Sequence, residues 1–395
     1  MLTGTHETSK MLQRAQALKS KLIEFRRHLH SHPELSFRER ETSKFLISIL
    51  SGLNCRLRSG VAENGITAEF GEGRTVVVRA DMDALPICEQ NKVEYASLNE
   101  GVMHACGHDA HMTCALGAAM LLSENPPEKG CVRVLFQPAE EAVNDEGKGG
   151  ATLMMEHGAI DGAEAAFALH VWPELPVGTI GVREGSLLAG CDSFTITLRG
   201  LGAHGAFPET GIDTVVLAAQ VIMALQQVIS RRKSALEPAI LTVGGVKSSS
   251  FAPNVIPGEV VLVGTIRYLS KSTQDLLHRE IENACRIAET FGGSYSLDFT
   301  CDAPALVNDP RLTGLVRESC AELLGAAAVI DVPQAMGAED FAFMANKLPG
   351  TFFLLGTGIP GSQRTLHSPT FDINEDALPI GAAMLADCAL RYLRT

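Results

Sequence analysis

Between Met103 and His111 the chain reads Met-His-Ala-Cys-Gly-His-Asp-Ala-His, and two adjacent glutamates, Glu140 and Glu141, follow on the far side of an apolar stretch. A thiolate, several imidazoles and carboxylates form the ligand set that zinc and its first-row neighbours accept. None of the ten cysteines makes a CxxC pair, so the pattern is not that of a structural zinc site. Of two adjacent carboxylates, one can ligate a metal while the other stays free to take a proton from water. The residue types therefore point to hydrolytic chemistry rather than to a structural staple.

The elements that must position these residues are legible as apolar runs leading into polar ones. Thr75 to Val78 is continuous and β-branched, and it leads into Arg79, Asp81 and Asp83. Val132 to Phe136 leads through Gln137 to Glu140 and Glu141, Ala165 to Leu169 ends at His170, and Phe352 to Leu355 opens a loop that reaches His367. Helix-like stretches, Ala110 to Ser123 and Gly150 to His157, lie between them. This alternation predicts an α/β domain with a mostly parallel sheet flanked by helices. In such folds ligands gather beyond the carboxyl ends of strands, which sends these polar groups to one pocket.

The middle of the chain follows another rule. From about Leu188 to Thr300 the order strand, helix, strand, strand, helix, strand predicts an inserted ferredoxin-like α+β domain. The expected division is a catalytic domain over 1–187 and 302–395, with a lid or dimerisation domain over 188–301. In the first inserted helix, Val215, Val216, Ala219, Ile222, Met223 and Val228 are read as the apolar face.

Composition narrows the partners. A net charge of -13 speaks against nucleic acid or an anionic membrane surface. The longest apolar helical stretch, Thr214 to Leu225, is read as too short to span a bilayer. The first residues, polar and mixed in charge, do not resemble a signal peptide, and scattered cysteines fit a reducing compartment, so a cytoplasmic location is expected.

Several motifs occur in order: RRHLHSHPE (26–34), RADMDALP (79–86), MHACGHDAH (103–111), FQPAEE (136–141), GAHGAFP (202–208), NVIP (254–257), GTIR (264–267), EDF (339–341) and HSP (367–369). Together they resemble the dinuclear metallopeptidase superfamily of aminoacylases and zinc carboxypeptidases, in its hippurate hydrolase and auxin-conjugate amidohydrolase branch. The resemblance implies that Cys106, His108, Glu141, His170 and His367 hold two divalent metal ions, with Cys106 between them and Glu140 as general base. The softness of Cys106 as a ligand favours zinc, with manganese, cobalt or nickel as alternatives. The resemblance further implies a homodimer in which His204 reaches a partner subunit's site to steady the oxyanion, and Asn254 and Arg267 hold the substrate's free carboxylate. Arg79 stands where related branches place a metal-binding histidine, which makes Asp81 a supporting residue.

The expected activity is cleavage of an N-acyl-amino acid to a carboxylic acid and a free amino acid by metal-activated water. A dipeptidase or carboxypeptidase using the same site is the alternative, and a metal-dependent binding protein without catalysis is the reading from another class. His28, His30, His32 and His157 carry no assignment; His104 and His111 either orient ligands or merely face the following helix.

Overall fold

The structure is a computed structural model and describes residues 3–362 and 364–395. The chain divides into two compact units. One comprises the residues up to Gly185 with Val307–Pro333 and Asp340–Thr395, and the other comprises Ser186–Leu306 with Gln334–Glu339.

The first unit is built on an eight-stranded sheet. Its centre consists of four parallel neighbours, in spatial order Gly130–Gln137, Thr75–Asp81, Ala163–Pro176 and Gly350–Gly358. These are the four apolar runs picked out above. Val76, Val77 and Val78 are all fully buried, because a central parallel strand is covered on both faces and cannot alternate apolar with polar. The 163–176 strand runs past His170 instead of ending there, since its backbone continues to pair with the 350–358 strand as far as Pro176.

Two further strands, Arg56–Val61 and Gly65–Glu72, extend one edge in antiparallel sense. Ile180–Val182 and Val329–Asp331 complete the other. The sequence does not announce the 56–61 strand because most of its side chains are exposed.

The helix His108–Glu124 is buried on nearly every side, so its sequence carries no amphipathic period. It packs against the closing helix Leu378–Arg394 through small residues. A Cβ on Gly117 would lie 2.6 Å from Ala382 Cβ, and one on Gly381 would lie 2.5 Å from Cys114 Sγ. That close packing anchors the helix that carries the His108 motif.

The second unit is a four-stranded antiparallel sheet in spatial order Ala239–Ser248, Glu259–Tyr268, Gly190–Arg199 and Ser294–Ala303. With the helices Thr214–Gln227 and Lys271–Cys285 it forms the ferredoxin-like βαββαβ arrangement. Asp213 starts the first helix by accepting the Val215 and Val216 amides, and Ser270 starts the second by accepting the Thr273 amide.

Two expectations are corrected in the first of these helices. Its buried face is Leu217, Ala218, Val221, Leu225 and Val228, packed on the sheet beside Phe194, Ile196 and Leu262. Val215, Val216 and Met223, read as core from their periodicity, are 50%, 52% and 67% exposed. The helix is apolar on both sides, so periodicity alone could not choose the buried one. It also extends through a π-helical turn, Val228–Arg232. The continuous segment Thr214–Arg232 is therefore 19 residues, long and apolar enough by length and composition to cross a membrane. The bilayer argument from its length does not hold.

Candidate active site

Gly107 makes the turn that starts the site. It has φ 90°, and a Cβ there would lie 2.3 Å from Val171 Cγ2, so both the backbone and the packing require glycine. Cys106 precedes this turn and His108 opens the helix after it. Glu140 and Glu141 follow the 130–137 strand, His170 lies within the 163–176 strand, and His367 lies in the loop after the 350–358 strand. The His367 amide donates to Ala105 O at 2.8 Å, which ties that distant loop to the residue before Cys106.

Six sequence-predicted residues thus come together. Cys106 Sγ lies 3.3 Å from His170 Nε2, and Glu141 Oε1 lies 3.3 Å from His367 Nε2 and 3.9 Å from His108 Nε2. Potential ligand atoms lie within 4.8 Å of one another in two sets that share Cys106: Cys106, His108 and His170, and Cys106, Glu141 and His367. Glu140 groups with His108 and Glu141 in the same way.

The donor chemistry fits metal. His170 Nδ1 donates to Val171 O at 2.7 Å, and His108 Nδ1 faces Asp83 Oδ1 at 3.3 Å, so each ring turns its Nε2 lone pair toward the cluster. His108 Nε2 and Glu141 Oε1 are buried without a hydrogen-bond partner, a costly arrangement that a cation relieves. Burial would depress the His108 pKa, yet the Asp81 charge and the hydrogen bond with Asp83 raise it well above the usual imidazole range, so the surroundings favour positive charge at that ring. Burial pushes the Cys106 thiol well up, and a bound cation is what would deprotonate it.

Around this cluster the remaining polar groups are already engaged. Arg79 donates to Asp81 Oδ2 and to Asp340 Oδ1, both at 2.7 Å. His111 Nδ1 donates to Asp81 Oδ1 at 2.7 Å while its Nε2 accepts the Val171 amide at 2.9 Å. Both His111 nitrogens and both Asp81 oxygens are therefore occupied; although Asp81, His108 and His111 lie close enough to suggest a further ligand set, the hydrogen bonds make Asp81 and His111 supports. Asp83 has a similar part: beside its contact with His108, its Oδ2 accepts the Glu141 amide at 2.9 Å and Ser36 Oγ at 2.6 Å.

His104 stands apart, buried with neither ring nitrogen hydrogen-bonded. Burial pushes its pKa from 6.5 down to about 4. The folded value lies below the unfolded one, so the stability tied to neutral His104 is present above pH 6.5 and lost as pH falls toward 4. The shift corresponds to about 3 kcal/mol. His104→Leu should remove most of that acid sensitivity, read from urea unfolding at pH 7.5 and 4.5. An unchanged loss of stability in the variant would contradict this account.

Sequence reasoning missed a buried charge network under the His108 helix. Arg26 Nε donates to Asp109 Oδ2 at 2.8 Å and Arg26 Nη2 to Asp372 Oδ1 at 2.9 Å; His30 Nδ1 also reaches Asp109 Oδ2 at 2.8 Å. Arg26 and His30 belong to a quoted motif, but nothing in a helical sequence marks which charge is buried.

The other three predicted residues lie in the second unit. His204 sits exposed on the short strand Ala203–His204, paired with Val255–Ile256, and its Nδ1 accepts the Ala206 amide at 3.1 Å. Asn254 adjoins it, accepting the Gly205 amide through its main-chain oxygen at 2.7 Å. Arg267 lies in the four-stranded sheet, opposite Cys191 and Ile240.

An α/β scaffold presenting this cluster defines a metal-dependent hydrolase acting on amide bonds. The profile of Peptidase family M20/M25/M40 matches residues 77–391, and the chain belongs to that family. It is 39% identical to an N-acetyl-L-cysteine deacetylase of Bacillus subtilis, over 95% of this chain and 89% of that protein. It is 35% identical to thermostable carboxypeptidase 1 of Saccharolobus solfataricus, over 94% and 95% of the two chains. Among solved structures, the Bacillus subtilis YXEP protein, described as a dinuclear metal binding peptidase of the M20 family, superposes with a TM-score of 0.84 at 35% identity, covering 96% of this chain and 99% of that one.

Proposed function

We propose that this hydrolase cleaves the amide of N-acyl-amino acids, with Glu140 as general base and Cys106, His108, Glu141, His170 and His367 holding two divalent metal ions, zinc foremost. The observation that carries the reading is a ligand cluster with a second carboxylate beside it. A structural site has no use for Glu140, whereas amide hydrolysis needs a group that takes a proton from water and returns it to the leaving nitrogen. When bound, the metals supply Lewis acidity and a nucleophile at neutral pH.

In this proposal Asn254 and Arg267 hold the free carboxylate of the substrate, for which a guanidinium fork is suited. His204 acts in the partner subunit of a homodimer. Leu201, Phe207 and Val255, which are exposed large apolar residues on either side of His204, support an interface there. The ten free cysteines fit a cytoplasmic location.

The similarity to a carboxypeptidase keeps peptide substrates in view. The test is a panel of N-acetyl, N-benzoyl and longer N-acyl amino acids beside unblocked dipeptides, with metal content measured in parallel. N-acyl-amino acids should be turned over with kcat/KM at least 100-fold above dipeptides, and chelation should abolish activity until metal is restored. A preference for dipeptides would replace this reading with the peptidase one; no cleavage with any divalent metal would replace it with a binding function.

A further inference from the structure

The turn that delivers Glu140 and Glu141 is strained at its first step. Ala139 has φ 50°, a left-handed conformation that alanine rarely adopts, and it is fully buried. Its carbonyl accepts the Gly150 amide at 2.7 Å. Its own amide donates to Glu39 Oε1 at 2.8 Å. Glu39 Oε1 also accepts the Phe37 amide at 3.1 Å, and its Oε2 accepts Asn64 Nδ2 at 3.0 Å, so the carboxyl group is itself held on both oxygens. On the other side of Glu140, Asp83 accepts the Glu141 amide. The two peptide N–H groups that flank Glu140 in the chain are thus each taken by a buried carboxylate from a different segment.

We propose that Glu39 is a positioning residue for the proposed base: by accepting the Ala139 amide it holds the left-handed turn that sets Glu140 beside Glu141. Without that acceptor the buried Ala139 N–H has no partner from this side, and relaxation of the backbone toward ordinary φ carries Glu140 with it. The task asks for an acceptor oxygen and not for charge. Burial, and then the neighbouring Asp83, raise the Glu39 carboxyl to about 7, so it is partly protonated at neutral pH while a carbonyl oxygen stays available. A glutamine offers the same oxygen, and a flipped Asn64 amide can pair with its nitrogen.

The inference rests on the proposed role of Glu140, and its test separates the two. Glu39→Ala and Glu39→Gln are compared with wild type in kcat and KM for an N-acyl-amino acid, in zinc content, and in hydrogen exchange of the peptide covering 138–142 with and without metal. Glu39→Ala should lose roughly 30-fold in kcat with KM within about threefold and zinc content unchanged, and its 139–141 amides should exchange at least tenfold faster. Glu39→Gln should stay within about threefold of wild type in every measurement. A folded Glu39→Ala with wild-type kcat and exchange overturns the proposal. So does a Glu39→Gln variant as impaired as Glu39→Ala. Should Glu39→Ala fail to fold, Glu39→Gln and Asn64→Ala decide: the first should be active and the second slowed severalfold in kcat alone, and the reverse order overturns the proposal. Wild-type protein inert toward every N-acyl-amino acid would defeat the function proposed above, and amide exchange would then decide the place of Glu39.

Discussion

Glu140→Gln should lower kcat by about a thousandfold while zinc content and KM stay near wild type, because general-base assistance contributes on the order of 10²–10⁴ in rate. The substitution keeps the size of the side chain and removes only its ability to take a proton. Glu140 lies with His108 and Glu141 in one group of potential ligands, so a rival account has it bind metal. The two accounts part on a single comparison. A base gives loss of kcat with metal retained, and a ligand gives loss of metal. Glu141→Gln supplies the control, since Glu141 Oε1 lies near both His108 Nε2 and His367 Nε2 and should cost metal affinity first. Full activity in Glu140→Gln would end the assignment.

The largest expected effect on stability belongs to Arg26. Its guanidinium is fully buried against Asp109, Asp372 and Glu375. Burial alone would push the Asp109 carboxyl up, but Arg26 and His30 overcome it and hold Asp109 far below the usual carboxylate range. Arg26→Met fills much of the space and leaves Asp109 a buried charge with His30 as its remaining side-chain partner, while Asp372 keeps Tyr95, Arg364 and the Ile373 amide. Removing one member of a buried pair costs about 3–5 kcal/mol. Chemical unfolding at pH 7 should show that loss, and a variant within about 1 kcal/mol of wild type would mean that water or rearranged neighbours satisfy the carboxylates. Asp109 directly follows His108, so the surviving folded fraction should also bind metal more weakly.

The parallel core of the sheet was legible because central parallel strands are continuous apolar runs, and the polar residues at or beyond them marked where the cluster forms; the spatial order of the strands was not. The proposed ligands stood out because thiolate, imidazole and carboxylate at close spacing have few other uses. The buried side of the Thr214–Gln227 helix was not, because Val215, Val216 and Met223 are as apolar as Leu217, Val221 and Leu225, and only the sheet beneath decides between them. The supporting shell was least legible. Glu39, Arg26 and Asp340 lie in polar stretches without period, and they acquire meaning only when folding removes them from water. His111 illustrates the limit: its spacing from His108 suits a ligand, and only the fold shows its two nitrogens engaged by Asp81 and the Val171 amide.

The Ala105 carbonyl that receives the His367 amide joins residues far apart in the chain, with both segments of the second unit between them in sequence. A nascent chain that has emerged only through the His108 helix carries a thiol and imidazoles but neither Glu141 nor His170 nor His367. Such a fragment is a loose and incomplete chelator. The full set of proposed donors exists only after synthesis has passed residue 367, which under the proposed ligation makes tight metal uptake a late event in the life of the molecule.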